Sequence, residues 1–354
     1  SIRPVAGIAL TGTNAGLFNG LYSLAPQGLP AALSQLTGEV YASTAAQTFD
    51  DARQVRTAIS ARLDDATAAK PDTAAAKLSA SLNVAVWGTG YGGWGNASGD
   101  GAASLGWTQS GFIAGADVKV FDTTRLGIAA GFGQSDGNVD SFNSKADNSH
   151  TDLALYGVSQ LAGFIAKYGA AYSWNDITTS RNVAFSTFSN GLSSSYNGNT
   201  TQLFGELSRP FSFGPAQVSP FAAVAYVNQS FDAFSETGGA AALSGSALSM
   251  STTLTTFGAR LSTDMALGNG IFTPSVKLGW QHAFGDVDTG AVMWLSGSTP
   301  FLVTGAPIAR DALALNVGLS YAFTDSVSAG FAYDGVLGAN AQSNTLKGNL
   351  RVNF

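Results

Sequence analysis

The sequence predicts an all-β fold: a 12-stranded antiparallel transmembrane β-barrel with an N-terminal α-helix through its lumen. Three observations lead there. The first is alternation near the C-terminus, where Leu313, Leu315, Val317, Leu319, Tyr321 and Phe323 interleave with Ala312, Ala314, Asn316, Gly318, Ser320 and Ala322. Side chains of a strand change face at every residue, so one face is apolar and the other wet. The pattern repeats in Val327, Ala329, Phe331 and Tyr333, and again in Leu350, Val352 and Phe354 against Asn349, Arg351 and Asn353. Gly, Ser, Asn and charges crowd the wet face, and aromatics mark the ends of the apolar one. That is the signature of strands with lipid outside and water inside.

The second observation is composition. Only 11% of the 354 residues are charged and 43 are glycine, against roughly a quarter charged in an ordinary soluble domain. No apolar run approaches the roughly 20 residues of a membrane helix. Lipid accepts only helices or closed barrels, which leaves the barrel. The third observation is a change of grammar before residue 78. Residues 28–66 combine high helix propensity with Phe49, Val55 or Arg56, Ile59 and Leu63 at helical spacing.

Taken in order, residues 1–27 read as a stub of a preceding segment, 28–66 as helix, 67–78 as linker and 79–354 as barrel. Gly38 is the expected break in the helical part. Its second piece, Thr44 to Leu63, would span about 30 Å at 1.5 Å per residue, the thickness of a bilayer core. Asp50, Asp51, Arg53, Arg56 and Arg62 forbid lipid contact, so such a helix belongs inside a water-filled pore. Strands are expected near 81–95, 106–121, 124–137, 148–160, 163–182, 193–209, 216–234, 247–266, 270–286, 309–323, 326–340 and 343–354. Faces follow from the charges: Asp117, Lys119, Lys167 and Lys277 point inward, because a lysine on the lipid face near midplane costs about 2–4 kcal/mol. Tight turns at 122–124, 161–163, 211–215, 267–269 and 324–326 alternate with longer stretches at 96–105, 138–147, 183–192, 235–246 and 287–308. Short turns are periplasmic and long loops extracellular in such barrels, so both barrel ends face the periplasm. Trp87, Trp94, Trp174, Trp280 and Trp294 are candidates for interfacial girdles or for the pore lining.

Several function classes fall away. A net charge of −6 gives no case for nucleic acid. The chain has no cysteine, hence no disulfide or thiolate metal site, which suits passage through an oxidising periplasm. His150 and His282 are the only histidines, with no GxSxG or other nucleophile motif beside them. Two histidines make no convincing metal site. We expect no catalytic residue, metal or cofactor, and structural roles for both rings. No signal peptide begins at Ser1, so the sequence reads as the C-terminal piece of a longer precursor.

Several segments carry a family likeness: LTGEVYAS at 36–43, FDDARQVRTAISARL at 49–63, AYSWNDITTSR at 171–181, GWQHAFGD at 279–286, PIARD at 307–311 and the ending KGNLRVNF. The chain resembles the translocator domain of monomeric autotransporters, the type V secretion proteins of Gram-negative bacteria. The resemblance implies an outer-membrane location and delivery or anchoring of the chain's own N-terminal passenger at the cell surface. It implies a monomer in outer-membrane lipid, handled by periplasmic chaperones and by the barrel-assembly machinery. That machinery would read the terminal strand, here Leu350, Val352 and Phe354. Some relatives carry an esterase passenger, whose Gly-Asp-Ser signature is absent here. Others cut themselves within the pore through an asparagine. No asparagine lies between Asn19 and Asn83, and Asn14–Ala15 is only a weak junction, so we expect no such cleavage. Arg53, Arg56 and Arg62 are expected to be held by lumen carboxylates, with Asp117, Glu206 and Asp334 as candidates and at least one contact from Arg53 or Arg56. The alternative reading is a diffusion porin; a surface adhesin or enzyme would need a folded domain absent from the chain.

Overall fold

The computed structural model describes residues 14–67, 84–99, 101–139 and 143–354. Most of the expected stub (1–13), most of the expected linker and the start of the first expected strand lie outside the described residues.

Twelve long strands form the wall. They are β1 (Val84–Ala97), β2 (Leu105–Phe121), β3 (Thr124–Val139), β4 (Ser144–Leu161), β5 (Phe164–Phe185) and β6 (Phe188–Ser208), followed by β7 (Ala216–Phe231), β8 (Leu248–Thr263), β9 (Gly270–Gly285), β10 (Asp311–Ala322), β11 (Val327–Gly338) and β12 (Ala341–Asn353). Each pairs antiparallel with its sequence neighbours, and β12 pairs back onto β1 from Asn353↔Ala85 to Ala341↔Ala97. The sheet therefore closes within one chain and leaves no free edge, as lipid requires.

The two faces sort as the alternation predicts. Phe112, Phe132, Leu155, Trp174, Leu203, Trp280 and Leu350 are exposed on the outer wall. Asp117, Lys167, Ser173, Asn175 and Gln202 are buried in the lumen. Of the tryptophans, Trp94, Trp174 and Trp280 are exposed and Trp87 is buried beside Tyr156. At one end the hairpins close tightly. Ala162 and Gly163, both with positive φ, join Leu161 to Phe164 in the two-residue turn that suits strand twist.

The long-loop end departs from expectation. The stretch at 183–192 is not a loop: β5 and β6 stay paired to Phe185↔Phe188 and turn over two residues. Its Ser- and Gly-rich composition suggested a loop, but Val183, Phe185 and Leu192 face inward and are buried by helices stacked on that hairpin. The loops at 235–246 and 287–308 are also partly ordered as strand. Phe234–Ser235, Leu243–Gly245, Gly290–Leu295 and Phe301–Thr304 build a small four-stranded sheet over the mouth.

Three α-helices precede the wall: α1 (Ala15–Tyr22), α2 (Leu29–Gln35) and α3 (Glu39–Thr67). Gly38 separates α2 from α3 at φ 69°, a conformation a larger residue adopts only with strain, and a Cβ there would press on the buried Leu243 side chain. α3 has 29 residues and starts earlier than the expected Thr44. At 1.5 Å per residue it is about 43 Å long, enough to run the whole lumen.

Candidate functional site

The site is the plugged lumen. Glu39, at the N-terminus of α3, lies at the long-loop end, where it accepts a hydrogen bond from the Ala103 amide. The other end of α3 lies among the tight turns, where Leu63 packs in a cluster with Trp87, Tyr156 and Val158. Small residues (Ala42, Ala45, Ala52, Ala58) let the wall approach closely, and 20 of the 29 helix residues are buried. The helix is polar for a buried one, so its polar groups must find partners on the wall.

They do so in three tiers. In the upper tier, Tyr41 stacks on Phe234 with ring centroids 3.6 Å apart and donates to Glu236 at 2.8 Å. Arg181 holds the same carboxylate through two bonds of 2.6 and 2.8 Å. The Ala306 amide donates to Ser43 Oγ at 2.9 Å, fastening the cap sheet's connection to the helix.

The middle tier centres on Asp50 and Asp51. Asp50 accepts from Gln109 Nε2 at 2.6 Å, Ser343 Oγ at 2.6 Å, Trp107 Nε1 at 3.1 Å and Arg53 Nε at 2.8 Å. Asp51 accepts from Ser135 at 2.5 Å and Asn148 at 2.8 Å. Gln202 donates to the Ala52 carbonyl at 2.7 Å and accepts from Arg56. In the lower tier, Arg62 meets Asp117 through two bonds of 2.8 Å, and Arg125 adds a third at 2.7 Å. Lys167 binds Asp64, and Arg260 reaches the same carboxylate at 2.7 Å.

The expected partners are therefore rearranged. Arg62 pairs with Asp117, but neither Arg53 nor Arg56 forms an ion pair with Asp117, Glu206 or Asp334 among the described residues. Arg53 turns to Asp50 on its own helix and to Ser343 at 2.7 Å, and Arg56 to neutral Gln202. Glu206 is bound by Lys167, Arg260 and Lys277, and Asp334 by Lys347 at 2.7 Å. Lys167 lies directly opposite Glu206 on the adjacent strand and Lys347 diagonal to Asp334. Arg260 and Lys277 reach Glu206 from β8 and β9 across the curved wall, so these two carboxylates are neutralised by wall cations. The pairs are also buried rather than wet, with Arg62 and Asp117 side chains 4% and 0% exposed. They belong to the regime in which losing one partner is costly.

Sequence reading missed Tyr41, Gln47 and the neutral wall set Gln109, Ser135, Asn148 and Gln229. The available signal was strand parity, which puts each of these wall residues inside. Leu350, Val352 and Phe354 lie on β12 or at its end; Leu350 and Phe354 are exposed. His150 is buried against Asp152 at 3.2 Å and Tyr91 at 3.3 Å, while His282 meets Asp311 at the rim at 2.7 Å. Asn14 donates to the Ser296 carbonyl at 2.9 Å, beside the cap sheet.

The autotransporter beta-domain family model matches residues 86–334. The chain belongs to the autotransporter β-domain family. Two curated relatives from Serratia marcescens, each named extracellular serine protease, are 30% and 31% identical over 92% of this chain. The chain spans 31% of their length. Among solved structures it is similar to the NalP translocator domain of Neisseria meningitidis, with TM-score 0.69 and 17% identity over 90% of this chain and 100% of that one. The Bordetella BrkA β-domain follows at TM-score 0.59, 15% identity, and 77% and 100% coverage. The AIDA-I transport unit of Escherichia coli has TM-score 0.56, 16% identity, and 76% and 90% coverage. This autotransporter β-domain is an outer-membrane translocator barrel. Nothing supports the porin alternative.

Proposed function

We propose that α3 is the tail of the exported passenger, drawn through the barrel and then locked there as its plug. The observation that carries this is orientation: α3 enters at the long-loop end, while β1 begins and β12 ends at the tight-turn end. A chain leaving the cell through the barrel and returning to its own first strand must lie this way. α1 and α2, packed on the β5–β6 hairpin, are then the membrane-proximal remnant of the passenger, within the 1–27 and 28–66 segments. Arg53, Arg56 and Arg62, with Asp50 and Asp51, retain the plug through the contacts described, and Asp117 is the wall carboxylate that serves it. Any enzymatic activity of the full protein resides upstream of α1, and the barrel contributes transport. Leu350, Val352 and Phe354 present the terminal strand to the barrel-assembly machinery, with periplasmic chaperones keeping the chain unfolded beforehand.

Single-channel conductance in planar bilayers tests the plug. The full chain is expected to conduct weakly, and a chain starting at Leu78 to conduct far more. Equal and large conductance in both would put the helix outside the pore and overturn the proposal.

A further inference from the structure

The lumen is filled unevenly. α3 packs chiefly on β2 to β5, and on its far side three cavities line up along the helix. The upper one, about 50 Å³, lies under Pro307–Ala309. The middle one is about 150 Å³ and the lower about 130 Å³. The upper and middle cavities share Arg53, Leu254, Gln281 and Val336, and the middle and lower share Lys277 and Asn316. The middle cavity is thus continuous in its lining with the tight-turn mouth.

Its charge does not balance. Arg53, Arg56, Lys167 and Lys277 line it against Glu206 and Asp334. Adding the groups ion-paired to these brings in Asp50, Asp64, Arg260 and Lys347. Six cations then face four carboxylates, two positive charges in excess. Arg56 is the clearest member of that excess. Among the described residues no carboxylate lies within ion-pair distance of it, and its one hydrogen bond goes to the neutral Gln202 amide oxygen. An uncompensated charge away from bulk water is costly, and a counter-ion removes the cost. One water needs about 10–15 Å³ of such space, so a cavity of 150 Å³ admits a tetrahedral oxyanion with water to spare.

We infer that the middle cavity is a binding site for a small inorganic oxyanion, phosphate or sulfate, held between Arg56 of the helix and Lys277 of the wall. Lys277 donates to Glu206 at 2.6 Å and lies 4.3 Å from the Phe221 ring centroid, which leaves ammonium hydrogens for a further acceptor. An anion bridging the two ties Arg56, which has no ion pair of its own among the described residues, to the strands. This inference rests on the plug reading, since it needs α3 inside the barrel.

The test is calorimetric titration of the refolded full chain in detergent with inorganic phosphate, at constant pH and ionic strength. One saturable site per chain is expected. Arg56→Gln should weaken it at least about tenfold, the worth of one charge-assisted hydrogen bond, while Arg56→Lys retains most of the affinity. Lys277→Gln is the second variant and should weaken binding in the same direction. Absence of saturable heat with the unmodified chain, or unchanged affinity in both glutamine variants, would overturn the site. Failure of the plug reading is seen separately, because it appears as conductance indifferent to removal of α3.

Discussion

Two arginines converge on one carboxylate at the base of the lumen, and the arrangement makes an unequal prediction for its members. Asp117 binds Arg62 from the helix and Arg125 from β3, and accepts from the Tyr156 hydroxyl at 3.1 Å. Removing one partner of a buried pair strands the other charge and costs about 3–5 kcal/mol. Asp117→Asn strands two guanidinium groups, whereas Arg62→Gln leaves Asp117 still paired with Arg125. Urea unfolding of the refolded barrel should therefore show the larger loss for Asp117→Asn and a clearly smaller one for Arg62→Gln. Equal losses would mean that Arg125 contributes nothing. A double-mutant cycle of Arg62 and Asp117 should give a coupling above that of an exposed pair, which is about 0.2–1 kcal/mol.

Among the elements, the cap meets α3 backbone against backbone. A Cβ on Gly305 would lie 2.5 Å from both Ala42 C and Ser43 N, backbone atoms that cannot swing aside. Gly305→Val must therefore part the cap from the helix, breaking the Ala306–Ser43 hydrogen bond. We predict raised single-channel conductance in this variant with the helix still present and the sheet content unchanged. Conductance equal to that of the unmodified chain would show that the cap does not seal the mouth. The elements were also the most legible part of the sequence. Strand parity is a local property, so Lys167, Asp117 and Lys277 announce their faces without knowledge of the fold. The α2–α3 break was legible for the same reason, since Gly38 is a residue-level signal. The extension of β5 and β6 was not, because Ser189 to Gly191 have loop propensities and become strand only by pairing across a hairpin. Nor were the partners of Arg53 and Arg56. Which wall residue faces a given helix turn depends on barrel stagger and on the side to which the helix leans, and neither is a local property.

Orientation belongs to the whole molecule, and the composition makes it testable. Tight turns at one end and the cap sheet at the other assign the periplasm and the cell surface respectively. The direction of α3 and the position of both barrel ends depend on that assignment. With no native cysteine, a single introduced thiol reports its own side of the membrane. Ser298 lies exposed in the turn of the cap sheet and Asp325 half-buried in the β10–β11 turn. With a membrane-impermeant maleimide, Ser298→Cys should label in intact cells, and Asp325→Cys only after the outer membrane is opened. Reversed labelling would place the cap in the periplasm and make α3 point inward, and export through this lumen would then be impossible. Labelling of both in intact cells would mean that the barrel had not been inserted as a sealed unit. The expected asymmetry, together with low conductance of the same preparation, would require one chain that closes its own sheet, fills its own pore and presents its passenger end to the outside.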